Sequence, residues 1–96
     1  MEQEAKPKAA KQLAKSREEA RALKKAAADA EKESARLAEQ RSALDRAMFD
    51  PAGAEPALAN LPMSELAQRR AKVAAALEAA EARWLQLAEQ LEKEAA

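Results

Sequence analysis

The sequence of 96 residues contains no cysteine, no histidine and a single glycine. Without cysteine the chain forms no disulfide and has no catalytic thiol, and without histidine it lacks the commonest ligand of transition metals. A glycine-rich phosphate loop is also missing, and so short a chain encloses little volume in which to build an active site. We therefore expect no catalytic residues, no metal and no cofactor, and the sequence predicts that this chain is not an enzyme.

Long apolar segments are missing as well. No apolar run approaches the roughly 20 residues that a helix needs to span a membrane. The N-terminal stretch MEQEAKPKAAKQ has none of the apolar core that a signal peptide requires. The expected location is the cytoplasm, without a membrane partner.

The residues that favour β-strands are nearly absent: Val73 is the only valine, and there is no isoleucine or threonine. Alanine, glutamate, lysine, arginine, leucine and glutamine dominate instead, and these residues have high helix propensity. The composition thus predicts long helices.

Two series of small or apolar residues follow alternating spacings of three and four, which average 3.5 residues and are typical of a coiled coil. The first series consists of Leu13, Ser16, Ala20, Leu23, Ala27, Ala30, Ser34, Leu37, Arg41, Leu44 and Met48. The second series consists of Leu66, Arg70, Val73, Leu77, Ala80, Trp84, Leu87 and Leu91. Each series predicts one face of a helix that packs against the other.

Between the two series, residues 50–65 contain three of the four prolines and the only glycine, so no continuous helix can pass through. The predicted fold is all-α: a two-helix antiparallel intramolecular coiled-coil hairpin with a proline-containing linker at its tip. We expect a basic leader over 1–12 that is disordered or frayed, with a separable helical extension in this stretch as the alternative. The hairpin is expected over 13–96, with helices over 13–48 and 64–94 and a linker over 49–63. Ser64 is the expected N-cap of the second helix, and AEPALAN (54–60) predicts about one helical turn.

The predicted first helix is longer than the second. Antiparallel pairing sets Met48 against Leu66 at the tip and leaves the end of the second helix near Ala20. Residues 6–17 then project beyond the hairpin, and the hairpin is expected to be a monomer. Self-association into an intermolecular bundle remains an alternative, because alanine-rich coiled-coil faces specify oligomeric state poorly.

Trp84 lies in the second apolar series, and small residues of the first helix are expected opposite it. We predict that its indole packs between the helices; stacking on a nucleobase and contact with a partner protein are the alternatives. Arg41 and Arg70 interrupt the apolar series, and we expect their stems to lie along the interface with their guanidinium groups reaching solvent or acidic partners.

The charges are unevenly distributed although they cancel overall. Residues 6–25 carry eight basic and two acidic side chains, a net charge of +6. Such a segment binds phosphate backbones without sequence preference, and the absence of aromatic residues excludes base stacking there. A solvated linker is an equally weighted interpretation. The residues expected to contact nucleic acid are Lys11, Lys15, Arg17, Arg21, Lys24 and Lys25, with a smaller cluster near the tip of Arg69, Arg70 and Lys72.

The two runs RLAEQRSALDRAMFDPAG and ELAQRRAKVAAALEAAEARWLQLAEQLE resemble the C-terminal coiled-coil domain of ABC-F family ATPases of the Uup-like type. The resemblance covers roughly residues 20–93. It is carried by the tip element Met48, Phe49, Asp50 and Pro51 and by the terminal signature Leu77, Glu78, Glu81, Trp84, Leu87 and Glu89.

The resemblance implies an excised, non-catalytic domain of a cytoplasmic, ribosome-associated or DNA-linked ATPase. Its expected partners are nucleic acid, with DNA favoured over ribosomal RNA, and the family's ATPase domains in cis. The alternative function is a protein-interaction or spacer module that docks on those ATPase domains or on the ribosome.

Overall fold

A computed structural model describes the backbone of residues 2–95 and the side chains of residues 8–95. Helix α1 spans Glu2–Phe49, a 3-10 turn spans Pro51–Gly53, the short helix α2 spans Pro56–Ala59, and helix α3 spans Met63–Ala95. The described part of the chain contains no strand. Helices α1 and α3 pack along each other over the length of α3. The predicted all-α hairpin of two long helices is confirmed.

The helix boundaries differ from the predicted ones mainly at the start. Helix α1 begins at Glu2 rather than at residue 13. Residues 8–20 supply the physical reason, because they consist almost entirely of strong helix formers and contain no residue that would end a helix. Residues 2–12 of the leader, predicted to be disordered or frayed, are therefore helical backbone in the structure.

The connection at the tip is short and ordered by backbone hydrogen bonds. Asp50 donates its amide to the carbonyl of Arg46 (2.7 Å) and so closes the last turn of α1. The predicted helical turn in 54–60 is confirmed as α2, in which the Ala59 amide donates to the Glu55 carbonyl (2.9 Å). Helix α3 starts one residue earlier than predicted, and Leu66 donates to the carbonyl of Pro62 (3.1 Å). Ser64 therefore lies inside the first turn, and its prediction as the N-cap is wrong.

The core consists of two separate clusters joined by single buried leucines. At the tip, Leu44, Ala47 and Leu66 form a buried cluster, and five further side chains pack against it: Met48, Ala54, Leu58, Leu61 and Val73. Near the other end of the hairpin the cluster is smaller and rich in alanine, with Leu87 as its one buried leucine; its members are Ala27, Ala30, Leu87, Leu23, Ala26 and Leu91. Leu37 and Leu77 are buried between the clusters.

These clusters confirm the antiparallel arrangement and its register. Leu44 near the end of α1 packs with Leu66 near the start of α3, and Ala27 packs with Leu87 further from the tip. Residues earlier in α1 thus contact residues later in α3. The last turn of α3 lies beside Leu23, since Lys93 lines the same surface groove. Residues 8–19 are all exposed, and we call this stretch the arm.

The arm makes the molecule long and narrow. The longest dimension is 74 Å and the two others are 19 and 17 Å. A helix of 48 residues is about 72 Å long at 1.5 Å per residue, so α1 alone accounts for the length. Leu13 and Ser16, the first two members of the predicted apolar series, are exposed because α3 does not extend to their level.

Trp84 is not a core residue, which corrects the prediction of full packing. It is 39% exposed, whereas Leu77 and Leu87 in the same series are 3% and 9% exposed. Two helices cover a side chain from only one direction, and the alanines of α1 at this level are too short to enclose an indole. Part of the ring therefore lies on the surface of the hairpin.

Candidate nucleic-acid interface

The basic side chains of residues 8–25 lie on one continuous helix. The structure places all seven of them on the surface: Lys8, Lys11, Lys15, Arg17, Arg21, Lys24 and Lys25. Only Glu18 and Glu19 oppose them within this stretch, which leaves a net charge of +5. We call this stretch the basic segment; its first twelve residues are the arm.

The helical periodicity spreads these cations around the axis instead of concentrating them on one line. Lys11 and Lys15 share one face, since residues four apart are neighbours on a helix. Arg17, Arg21 and Lys25 share a second face for the same reason. At 100° per residue the two faces together cover about half of the circumference. The arrangement can therefore contact phosphates on more than one side, as a helix seated in a groove would require.

The two halves of the basic segment have different surroundings. Lys11, Lys15 and Arg17 belong to the arm and lie before Glu19, the arm residue that lines a groove with Lys93 and Glu94 of α3. Lys25 donates a hydrogen bond to Asp29 at 2.9 Å, and this ammonium group lowers the pKa of the Asp29 carboxyl. Arg21 and Lys24 lie level with the end of α3, where Glu92 and Glu94 are exposed. The positive charge is consequently least compensated over residues 8–17, which contain four cations and no acidic residue.

The three predicted cations near the tip lie far from the basic segment. Asp45, which pairs with Arg70, is about 45 Å further along α1 than Lys15. The Arg70 guanidinium donates hydrogen bonds to Asp45, of which the bond from Nη2 to Oδ2 measures 3.4 Å. This hydrogen bond lowers the pKa of Asp45 and raises that of Arg70. Arg70 therefore joins α1 to α3, as its position within the apolar series suggested, and its donors face a carboxylate.

Arg69 and Lys72 lie on a surface groove of about 520 Å³ between α1, α3 and α2. Arg69 donates to Glu65 at 3.0 Å within α3. The floor of the groove contains the apolar side chains of Leu44, Leu58 and Val73.

Arg36 of α1 joins these cations on the groove and is a member that the sequence analysis missed. Arg36 lies far from Arg69 in sequence. The antiparallel register of α1 and α3 is the signal that could have placed the two residues at similar positions along the hairpin. Arg36 donates to Glu33 (Nε to Oε2, 3.0 Å), which lowers the pKa of Glu33 and raises that of Arg36. Glu39 and Glu55 also line the groove, so its net charge is small.

None of the helices in the described residues combines the length and apolar character that a membrane span needs, and these residues contain no group of acidic side chains arranged to hold a metal ion. Comparisons of the chain with models of protein families, with curated proteins and with solved structures found no match. The interface is therefore interpreted from its own charge and geometry.

Proposed function

We propose that this chain is a non-catalytic nucleic-acid-binding module whose arm contacts phosphates without sequence specificity, with DNA as the favoured ligand. The single observation that carries the proposal is the exposed, helical basic segment that extends past the end of α3. Release of counterions from the phosphate backbone supplies the driving force for such a contact. With no aromatic residue in the segment, base stacking contributes nothing.

The resemblance to Uup-like ABC-F proteins fits this proposal. In that setting the chain is the C-terminal domain of a cytoplasmic ATPase, and the arm leads from the preceding ATPase domain to the hairpin. A positively charged helix at this junction would bring nucleic acid close to the ATPase domains.

The groove at the tip favours a second candidate function, a protein-docking or spacer module. Its apolar floor and mixed charges suit a peptide better than a phosphate backbone, because Arg36 and Arg69 of the groove already face carboxylates of the same chain. This candidate predicts that nucleic acid does not bind the isolated chain.

Fluorescence anisotropy with labelled duplex DNA and structured RNA, repeated over a series of salt concentrations, tests the proposal. If four arm cations contact phosphates, the logarithm of the binding constant should fall against the logarithm of the salt concentration with a slope of roughly −3 to −4 for duplex DNA. Lack of binding at low salt would refute the proposal and favour the docking module.

A matched pair of triple variants locates the contact. Reversing Lys11, Lys15 and Arg17 to glutamate should abolish binding, because the arm then repels phosphate. Reversing Lys32, Arg46 and Arg83 to glutamate changes the net charge equally, but these exposed residues lie outside the basic segment. This control should weaken binding only slightly; equal losses in both variants would show that net charge alone matters.

A further inference from the structure

Exposed large apolar side chains occur at the open end of the hairpin, on both helices. Leu13 of the arm is 53% exposed, and on α3 Trp84 and Leu85 are 39% and 53% exposed. Leu85 lies outside the apolar series that faces α1, so the core of the hairpin does not use it.

The surface of α3 around Leu85 is acidic. Glu81 and Glu89 lie one turn before and one turn after Leu85, and Glu78 and Glu92 lie two turns away on the same face. All four glutamates are exposed. Of the basic residues nearest to them along α3, Arg83 falls on the far side of the helix, whereas Lys93 lies one turn after Glu89 at the C-terminal edge of this surface. A strip with an apolar centre and acidic ends thus runs along the outside of α3.

The arm carries the complementary pattern. Leu13 has Ala9 one turn before it and Arg17 one turn after it, on a helix whose net charge is positive. If Leu13 is set beside Leu85 of a parallel helix, Arg17 falls level with Glu89, because each lies four residues further on. Within one molecule the arm cannot reach this strip, since α1 is a single straight helix that runs antiparallel to α3.

We infer that the arm of one copy of this chain packs against the Trp84–Leu85 strip of a second copy. A twofold axis perpendicular to the long axis makes the two molecules antiparallel, so α1 of one copy runs parallel to α3 of the other. Each arm then occupies the strip of the other copy, and the two contacts are identical. The arm becomes a third helix beside α1 and α3, which covers Leu13, Leu85 and the exposed part of Trp84.

This inference goes beyond the proposed function and does not depend on it. The dimer contact uses Leu13 and Arg17, and only Arg17 is also assigned to phosphate in the proposed function. Lys11 and Lys15 lie on a different face of the arm and stay available to phosphate. The contact is small and charged at its rim, so the dimer should form reversibly and weaken with salt.

Sedimentation equilibrium of the full chain without nucleic acid tests the inference. The expected result is a mass that rises from monomer towards dimer with concentration, and less steeply at high salt. Leu85→Gln should raise the dimer dissociation constant roughly tenfold, because apolar contact is lost at two equivalent places. The matched control Met63→Gln replaces another exposed apolar residue, at the tip, and should leave the constant unchanged.

A charge exchange tests the register. Arg17→Glu and Glu89→Arg should each weaken the dimer, and the double variant should restore it, since the opposite charges are then interchanged. Mixing a Leu13→Cys variant with a Leu85→Cys variant should give a disulfide-linked heterodimer under oxidation, which requires Cα atoms within about 7 Å.

A monomer at every concentration would overturn the inference, as would an equally strong dimer in Leu85→Gln with unchanged helicity. Neither result affects the anisotropy titrations, which are made on dilute protein. Failure of the dimer and failure of nucleic-acid binding are therefore distinguishable.

Discussion

Trp84 shows that a position in an apolar series does not by itself bury a side chain, because burial also depends on the side chains opposite. Spacing assigns it to the same face as Leu77 and Leu87, and these leucines are buried. The indole is larger than the space that alanines on one opposing helix can cover. Side-chain size relative to the neighbours, which periodicity does not report, explains the exposed fraction.

Alanine substitutions should reveal this difference. Trp84→Ala should lower the free energy of unfolding by about 2 kcal/mol, below the 3 to 5 kcal/mol typical of a buried aromatic residue. Leu77→Ala should cost about 3 kcal/mol although leucine is the smaller side chain, because Leu77 is 3% exposed. Urea unfolding followed by circular dichroism at low protein concentration measures both. A clearly larger loss for Trp84→Ala would mean that the ring is enclosed in solution.

The ion pair of Asp45 with Arg70 should make stability depend on pH. Arg70 lowers the pKa of Asp45, so the pair is complete above the ordinary aspartate pKa of about 3.9 and is lost as pH falls through the lowered value. The melting temperature of Asp45→Asn should lie below that of the original chain at neutral pH, and the gap should close in acid.

Asp29→Asn provides the matched control for this measurement, since Asp29 pairs with Lys25 within α1 and joins no second helix. Its effect on the melting temperature should be smaller. A pH-independent gap for Asp45→Asn would contradict the assigned charge pair.

At the scale of the elements, α1 consists of a part that packs against α3 and a part, the arm, that extends beyond it. From Ala20 to Met48 its apolar series packs on α3, whereas the arm before Glu19 has intrahelical hydrogen bonds but no opposing helix. A helix without tertiary packing is marginally stable in water even when its residues have high propensity. The arm should therefore contribute little to the stability of the hairpin.

Removal of residues 1–16 tests this division. The melting temperature of the shortened chain should stay within a few degrees of that of the full chain at low concentration, while the helical signal per molecule falls in proportion to the residues removed. Removal of the same number of residues from the end of α3 should lower the melting temperature strongly, because Leu87 and Leu91 belong to the core. Equal losses would show that the arm is packed.

The pairing of elements was predictable from sequence, and their ends were less so. The 3.5-residue spacing fixed the partner faces, and three prolines fixed the turn, so the pairing of the Met48 region with Leu66 is confirmed. The start of α1 and the cap of α3 depend on local backbone hydrogen bonds that spacing does not encode. Of the candidate site, exposure of the cations followed from charge, whereas the pairing of Arg70 with Asp45 required the register between the helices.

At the scale of the whole molecule, the chain is far more extended than a globular domain of its size. The radius of gyration of its Cα atoms is 21.6 Å, whereas a compact chain of this length has about 12 Å. Small-angle scattering at high dilution should give a value near that of the structure. A value close to that of a compact domain would indicate that the arm folds back.

The unequal core clusters have a consequence for how the hairpin opens. The tip cluster has eight members, including residues of the connection, and two of its three buried members are leucines; the cluster near the arm has six members, and two of its three buried members are alanines. Opening should begin where it exposes the least buried apolar surface. Amide hydrogen exchange should therefore be fastest near Leu23 and slowest near Leu66. The hairpin would then unzip from the arm towards the tip, and a ligand held by the arm would pull on the end that opens first.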